Sequence, residues 1–579
     1  MVGRLTGFFL VLGMMAQLAP AQSGGAPAAG AAADSTPHSV NDFRAVLDQV
    51  QALIRAQAKQ LESQRQQIED QQIAIDELRR EVAAQRPADG SVAEQQQAAA
   101  STAAQLNAEA HALNAASSSS PLVPRSSAPV PTTPREQVAK SSYSPLSIHF
   151  GNASLTPGGW VDFTAYYRST DVGSGLGTSF GSIPFNNTVP GGLSEMRFTA
   201  QSSRISLRAD ETFGATKVFG YGEADFNGYL PSNAYVSTNS DTLRLRVFFS
   251  DLSRKRWELL GGQSWSLLTP NRAGVSPFLS EIYNTLHLDT NYQVGLTYAR
   301  QAQLRAVYHF TPGLALGLSV ENPDQYSGSA VTFPALFSTT ETDVNSSTGA
   351  GGGTATPTLH PDMIAKLSYD PVWLHRKWHF ETAGLLTGVA IDTPATVTKT
   401  TSYKDTREGG GISSSANLEV VKNLHLILTG FWSDGGGRYI GGLGPGFVVA
   451  QNGSKTTPFT AQLVHSGSGI ASAEWQANKR NLLEFSYSGA YFDRVFSTDP
   501  STGNLVGYGF KGSANSNNRA IQEGTFGTQT TLWTRFGYGS VQVLTQSSYI
   551  TRAPWYVAPN TPKNAHVFAG YANLRYVLP

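Results

Sequence analysis

The chain has 579 residues, 42 Lys plus Arg against 42 Asp plus Glu, and no cysteine. That length argues against one compact soluble domain unless it is a large β structure, and the balanced charge gives no global field to draw nucleic acid or an acidic partner. The lack of cysteine excludes disulfides, thiolate metal sites and thiol nucleophiles, while 57 glycines, 22 tyrosines and 28 phenylalanines lean towards β structure with many turns in an extracytoplasmic setting.

The first residues, MVGRLTGFFLVLGMMAQLAPAQ, carry one basic residue (Arg4), an apolar run from Phe8 to Ala16, and the small-residue site Ala19-Pro20-Ala21. This is the pattern of a secretory signal spanning 1–21. The other reading, a membrane anchor, is disfavoured because the run is shorter than the roughly 20 residues a spanning helix needs. No later run reaches that length, so any entry into a membrane must use strands.

Residues 22–40 form a flexible Ala/Gly/Ser/Pro segment. Asn41 is then a candidate helix cap, and no Gly or Pro interrupts the following residues to Gln85. Leu47, Ile54, Leu61, Ile68, Ile75 and Val82 recur every seven residues, beside a second row of Phe43, Val50, Gln57, Gln64, Gln71 and Leu78. The double seam predicts a coiled coil over 41–86, and its glutamine layers favour a trimer over a zipper dimer. The alternative is a lone solvated helix. Residues 87–145, rich in Ala, Gln, Ser and Pro, cannot bury a core and read as a linker.

From 146 to 579 the chain alternates with period two, as in LRLRVFF (243–249), NLHLILTGFW (423–432), LLEFSYSGAYF (482–492) and VFAGYANLRYVL (567–578). In the last, Phe568, Leu574 and Tyr576 share one face while Asn573 and Arg575 lie on the other. A soluble sandwich would also alternate, so loop length decides. Long polar connections near 169–193, 229–241, 269–289, 322–361, 392–409, 435–459, 494–523 and 552–564 alternate with short turns such as DETFGA, SRKR, TPG and ANKR. One elaborated and one trimmed end mark an outer-membrane barrel; no repeat of 40 to 50 residues supports a propeller. The predicted fold class is therefore all-β, a transmembrane antiparallel β-barrel of about 16 strands preceded by a periplasmic α-helical coiled coil. Trp160, Tyr166, Tyr167, Trp257, Trp265, Trp373, Trp378, Trp432, Trp475 and Trp533 fall near predicted strand ends, where interface girdles sit.

In such a barrel the polar row of each strand faces the lumen, because an arginine on the lipid side costs roughly 2–4 kcal/mol at mid-bilayer. Parity sends Arg204, Ser206 and Arg208 inward against Ile205 and Leu207. It sends Glu223 and Asp225 inward against Ala224 and Phe226, and Arg244 and Arg246 inward against Leu245 and Val247. Arg300 and Arg305 have opposite parity, which predicts a bulge or strand end at one of them; a similar phase break falls near Ser202–Ser203. Glu321, Asp162, Arg168, Glu258, Lys366, Glu474, Glu484 and Arg535 also point inward, with no net sign. The candidate channel-lining set is Arg204, Arg208, Glu223, Asp225, Arg244, Arg246, Arg300, Arg305 and Glu321, for which anion selection and a structural ladder are both open. The loop 269–289, with its apolar run and Arg272, is expected to fold into the barrel and narrow it. There is no His-Glu-x-x-His, no phosphate-binding loop and no Gly-x-Ser-x-Gly, since Ser466 stands where its first glycine should be. No catalytic group, metal or cofactor is expected.

The stretches SSRISLRADETFGATKVFGYGEADFNG, LRLRVFFSDLSRKRWELLGGQSWSLLTPN, VGLTYARQAQLRAVYHF and LGLSVENP resemble the DcaP-like trimeric porins of Gram-negative outer membranes. The order of signal sequence, coiled coil and barrel is similar to theirs as well. The resemblance implies a homotrimeric channel in outer-membrane lipid, its coiled coil in the periplasm, passing small, mainly anionic solutes with dicarboxylates as the substrate class. The chain departs from that pattern in its long linker and in closing on Leu578-Pro579 instead of a terminal Phe or Trp. The competing expectation is a structural barrel, little used for transport, whose coiled coil tethers it in the periplasm.

Overall fold

A computed structural model describes residues 144–228, 241–278, 287–323, 330–337, 359–373, 375–393 and 401–579. The signal sequence, the segment 22–40, the coiled coil with its seam from Leu47 to Val82, and the linker up to 143 lie outside the described residues.

Sixteen strands form the barrel wall. They are β1 (Ala153–Arg168), β2 in two pieces (Glu195–Thr199 and Arg204–Phe213), β3 (Thr216–Asp225), β4 (Arg244–Arg254), β5 (Trp257–Trp265), β6 (Arg300–Thr311), β7 (Leu314–Glu321) and β8 (Asp362–Tyr369). They continue with β9 (Arg376–Thr393), β10 (Tyr403–Val421), β11 (Leu424–Asp434), β12 (His465–Gln476), β13 (Asn481–Phe492), β14 (Asn518–Arg535), β15 (Gly539–Pro554) and β16 (Ala565–Val577). Each pairs antiparallel with the next, and β16 returns to β1 in a register running from Trp160 opposite Val577 to Arg168 opposite Ala569. Closure leaves no open edge, which a sheet spanning lipid requires because hydrocarbon offers no partner for backbone polar groups.

Short turns join β2 to β3, β4 to β5 and so on at one end; long loops lie at the other, as expected. Two long loops carry hairpins of their own, Phe447–Ala450 with Thr460–Leu463 and Val495–Thr498 with Leu505–Tyr508. Two expected loops are shorter than their sequence suggested. β9 extends to Thr393 and β10 starts at Tyr403, and β14 starts at Asn518. Polar, glycine-rich stretches such as REGGGISSS read as loop by composition, yet they are acceptable strand where one face is polar.

The molecule is apolar outside. Ile205, Leu207, Leu245, Phe248, Leu304, Leu318, Leu428 and Phe485 are exposed, while Asp162, Arg204, Glu223, Lys366 and Arg575 are buried inside. A continuous apolar exterior of this kind matches lipid, not water. Among the described residues no helix is long and apolar enough to cross a membrane.

Three expectations on side-chain direction are corrected. Val247 is buried with Arg246, because a bulge in the β3–β4 ladder (Glu223 opposite Val247, Ala224 opposite Leu245) inserts Arg246 as an extra residue and reverses the phase. Arg535 lies at the exposed end of β14, past a second irregularity between Thr531 and Trp533. Of the expected girdle, Trp257, Trp373, Trp432, Trp475 and Trp533 are exposed, but Trp160, Tyr166 and Trp265 are buried. Trp160 is held inside by the Arg204 and Arg575 guanidinium groups, 4.5 and 5.0 Å from its ring centre. The phase break expected at Ser202–Ser203 is the gap between the two pieces of β2. There Ser203 N donates to Ala200 O at 2.9 Å, and Trp160 Nε1 donates to Ser202 O at 2.8 Å.

The closing seam has a polar clasp. Asp162 on β1 accepts from Arg575 Nε and Nη2 on β16 at 2.9 and 2.5 Å, from Asn573 Nδ2 at 2.6 Å and from Thr164 Oγ1 at 2.7 Å. Removing one member of a buried pair strands the other's charge, at about 3–5 kcal/mol. Asp162→Ala is therefore expected to lower the temperature at which the folded barrel loses its compact migration in semi-native electrophoresis, and Asp162→Asn to lower it less.

Candidate functional site

Adjacent strands β2, β3 and β4 set Arg204 opposite Asp225, and Asp225 opposite Arg244. Residues directly opposed in an antiparallel pair share a face, so the basic and acidic rows meet inside the barrel. Arg204 Nη1 lies 2.9 Å from Glu223 Oε1. Arg246 bridges both carboxylates, Nε to Glu223 Oε1 at 2.7 Å and Nη1 to Asp225 Oδ2 at 2.8 Å. Arg244 Nη2 holds the same Asp225 oxygen at 2.9 Å, and Tyr221 donates to Glu223 Oε2 at 3.1 Å. Each carboxylate oxygen of the ladder thus carries a donor, which a buried charge requires.

Arg300 adds a fourth guanidinium. As expected of one member of the out-of-phase pair, it is a strand end, the first residue of β6, opposite Trp265 of β5. Its guanidinium carbon and that of Arg246 each lie 5.8 Å from the Trp265 ring centre. No carboxylate pairs with Arg300 among the described residues, and its Nε and Nη1 are buried without a hydrogen-bond partner. Four guanidinium groups (Arg204, Arg244, Arg246, Arg300) therefore face two carboxylates.

The other candidates are placed less directly. Arg208 pairs with Asp210 two residues along its own strand at 2.6 Å and lies against the stacked Phe219 and Phe278 rings. Arg208 and Arg244 keep 17% and 14% of their side chains accessible, whereas Arg246 and Asp225 keep none. Arg305 is buried on β6, its Nε on Gln303 Oε1 at 3.0 Å and its Nη2 on the Trp265 carbonyl. Glu321 is a loop anchor, its Oε1 accepting from Leu267 N at 2.8 Å and Ser319 Oγ at 2.9 Å.

The connection from β5 to β6 enters the barrel, as expected for 269–289, and its described residues grip the far wall. Lys366 on β8 donates to Thr269 O at 2.7 Å and pairs with Glu381 of β9, whose oxygens also accept from Asn271 N at 3.2 Å. Arg272 pairs with Glu474 of β12, and Asn417 of β10 donates to Arg272 O at 3.1 Å. Further along, Gln293 Nε2 donates to Ser486 Oγ of β13 at 2.8 Å. Val294 N donates to Glu523 of β14 at 2.9 Å, and Asp289 N to Gln546 of β15 at 3.0 Å. A segment leaving β5 and bonded to strands from β8 to β15 crosses the lumen.

Two backbone features bring it so close. Gly295 has φ +84, and a Cβ there would stand 2.5 Å from the Gly489 carbonyl oxygen and 2.9 Å from that of Gly469, so the loop lies directly on glycines of β13 and β12. Tyr292, fully buried with φ 66, holds a left-handed conformation that costs a non-glycine residue of order 1–3 kcal/mol and is kept by its surroundings. Its hydroxyl receives Arg246 Nη2 at 3.4 Å, tying the loop to the arginine ladder. Leu267, Leu268, Val275, Leu288 and Val294 pack with inward-facing Val307, Ile364 and Leu385, an apolar cluster inside the barrel. Burial opposes a charge on His287, but Glu484, 3.6 Å away, and Glu523 outweigh it, so its pKa is raised.

A second inward loop, after β1, is organised by Arg168. Its Nη1 donates to Ser174 O at 2.9 Å and Glu195 at 2.8 Å, and its Nη2 to Leu176 O at 2.8 Å. Asp289 joins the two loops by accepting from Thr178 N at 3.0 Å and from Tyr571 Oη at 2.8 Å. Sequence reading missed Asp289, Glu381 and Gly295. Only the lone aspartate of HLDTNY, followed by turn-forming Thr and Asn, and the isolated glycine in QVGL hinted at backbone-binding work. Among the described residues no group of three or more His, Cys, Asp or Glu could hold a metal ion.

Barrel, inward loops and charge ladder together define a closed sixteen-stranded antiparallel β-barrel with an apolar exterior and a polar, loop-crossed interior. No family model matches the chain, and neither does any curated protein. Among solved structures, the outer membrane channel DcaP of Acinetobacter baumannii has the same fold, with a TM-score of 0.51 at 15% identity over 74% of this chain and 98% of that one. The likeness first seen in the strand motifs thus extends to the fold. The anion-selective porin from Comamonas acidovorans superposes at a TM-score of 0.40 with 11% identity, over 73% of this chain and 99% of that one. OmpT, an outer membrane protein of Vibrio cholerae, superposes at 0.38 with 8% identity, over 74% and 99%.

Proposed function

We propose that this chain is an outer-membrane porin, a homotrimer whose barrels let small solutes diffuse passively with a preference for anions such as dicarboxylates. The observation that carries the reading is the charge imbalance beside the inward loop, where four guanidinium groups meet two carboxylates and Arg300 pairs with no carboxylate among the described residues. Guanidinium N–H groups replace part of the hydration that an anion sheds in a narrow passage. Low-dielectric walls focus the same excess charge against cations. Arg244, partly accessible, is the group a passing carboxylate meets first. The trimer rests on the resemblance and on the heptads of 41–86, and the periplasmic side on the short-turn end, where β1 begins and β16 ends.

A specific observation also favours the second reading, a structural barrel closed by its loops. Arg204, Arg246, Glu223 and Asp225 are all deeply buried and mutually paired. Reconstitution in planar bilayers separates the two: a channel gives stepwise conductance in groups of three, and a plugged barrel inserts without current.

A further inference from the structure

The short-turn end carries an uneven charge. The β8–β9, β10–β11 and β12–β13 turns follow one another around the rim, since β9 pairs with β10 and β11 with β12. Two strand spacings, about 10 Å, separate each from the next. On them stand Arg376, Lys377, Lys422, Lys479 and Arg480, all exposed except the half-buried Arg376, and among the described residues none has an ion-pair partner. The nearby carboxylates are engaged elsewhere. Asp370 accepts from Gly274 N at 3.0 Å and lies 2.8 Å from His379 Nδ1, while Glu419 accepts from the backbone N–H groups of Lys377 and Asn423 at 3.4 and 3.2 Å. Among the other short turns, β4–β5 is also basic, with Arg254, Lys255 and Arg256 exposed, but it stands apart, separated from this group by the β6–β7 turn. Pro312–Gly313 carries no charge, and Gly214–Ala215 is flanked by both Glu211 and Lys217.

The outward surface directly below these turns is aromatic and apolar. Trp373 meets Trp378 edge-on at 4.8 Å, Trp378 meets Phe380 at 6.0 Å, and Trp475 and Phe485 are exposed on the neighbouring strands. Amphipathic aromatics mark the level of lipid headgroups, and basic side chains at that level attract anionic headgroups. We propose that this rim is a binding site for an anionic phospholipid, its phosphate among Arg376, Lys422 and Lys479 and its acyl chains along the Trp373–Phe485 face. Arg376 pairs across the hairpin with Trp373. Charge alone would suit any polyanion; apolar surface continuous with it selects one that carries acyl chains. The site does not depend on whether the barrel conducts.

The test uses the full chain in neutral detergent, with equimolar dioleoyl phosphatidylglycerol and phosphatidylcholine, and native mass spectrometry to count bound lipid. Phosphatidylglycerol adducts are expected to dominate, and to weaken about 10-fold or more in R376Q/K422Q/K479Q. The charge-matched variant K455Q/K511Q/K563Q, at the long-loop end, is expected to keep them. Heat-modifiable migration establishes that each variant is folded, and K422E alone, at a two-residue turn, serves if the triple variant is not. The proposal is overturned by equal binding of the two lipids, by equal loss in both triple variants, by a K422E that binds as wild type, or by inorganic phosphate displacing the lipid at similar concentration. Retention of soluble cell-wall glycopeptide in place of lipid would overturn it too.

Discussion

Replacing Arg300 and Arg244 together by glutamine is expected to lower the anion-to-cation permeability ratio several-fold while leaving the barrel folded. The two positions follow from the pairing pattern. Among the described residues Arg300 has no carboxylate partner and two buried N–H groups without acceptors, and Arg244 is the accessible member of the ladder. Neutralising them removes the excess of two positive charges without stranding Glu223, which Arg204 and Arg246 hold. Arg246→Gln should behave differently. It leaves Glu223 and Asp225 short of donors in a low-dielectric wall, at about 3–5 kcal/mol, and so acts first on thermal stability. Permeability ratios from reversal potentials of each variant distinguish the two, and an unchanged ratio in the Arg300/Arg244 variant would remove the selectivity argument.

A larger change in conductance is expected from Gly295→Val. The added side chain collides with the Gly489 and Gly469 carbonyls, so the loop must lift from the β12–β13 wall. Its hydrogen bonds from Gln293 and Val294 to Ser486 and Glu523 go with it. Because pore conductance follows the narrowest cross-section, single-channel conductance should rise by roughly two-fold or more, with greater current noise, in the manner of a loosened constriction. The strand ladders are untouched, so the barrel itself should keep its heat-modifiable migration. Unaltered conductance in a folded Gly295→Val protein would mean that this loop does not set the bore.

The barrel was legible because lipid outside and polar groups inside impose a strict period of two, and because long and short connections alternate. Parity found Arg204, Glu223, Asp225, Lys366 and Arg575 correctly, since one buried polar residue every second position is all it needs. It failed at Val247 and Arg535, where a bulge shifts the phase, and a bulge leaves no compositional mark in LRLRVFF. The breaks that did show, at Ser202–Ser203 and between Arg300 and Arg305, showed because charged residues on both sides fixed the phase independently. Partners were not legible at all. That Glu321 and Glu381 bind loop amides, or that Asp289 joins two loops, depends on how far a connection folds inward, which distant strands decide. The same holds for the aromatics. Trp265 ends β5 as a girdle residue would and Trp160 lies midway along β1, and arginines draw both inside.

The most direct test of the account is the zero-current potential of the reconstituted wild-type protein across a tenfold gradient of potassium chloride. Excess positive charge at the constriction predicts a stable conductance whose reversal potential has the sign of chloride selectivity and shrinks as salt screens the lumen. A potential of the cation-selective sign would contradict the charge argument, and insertion without current would contradict the channel itself.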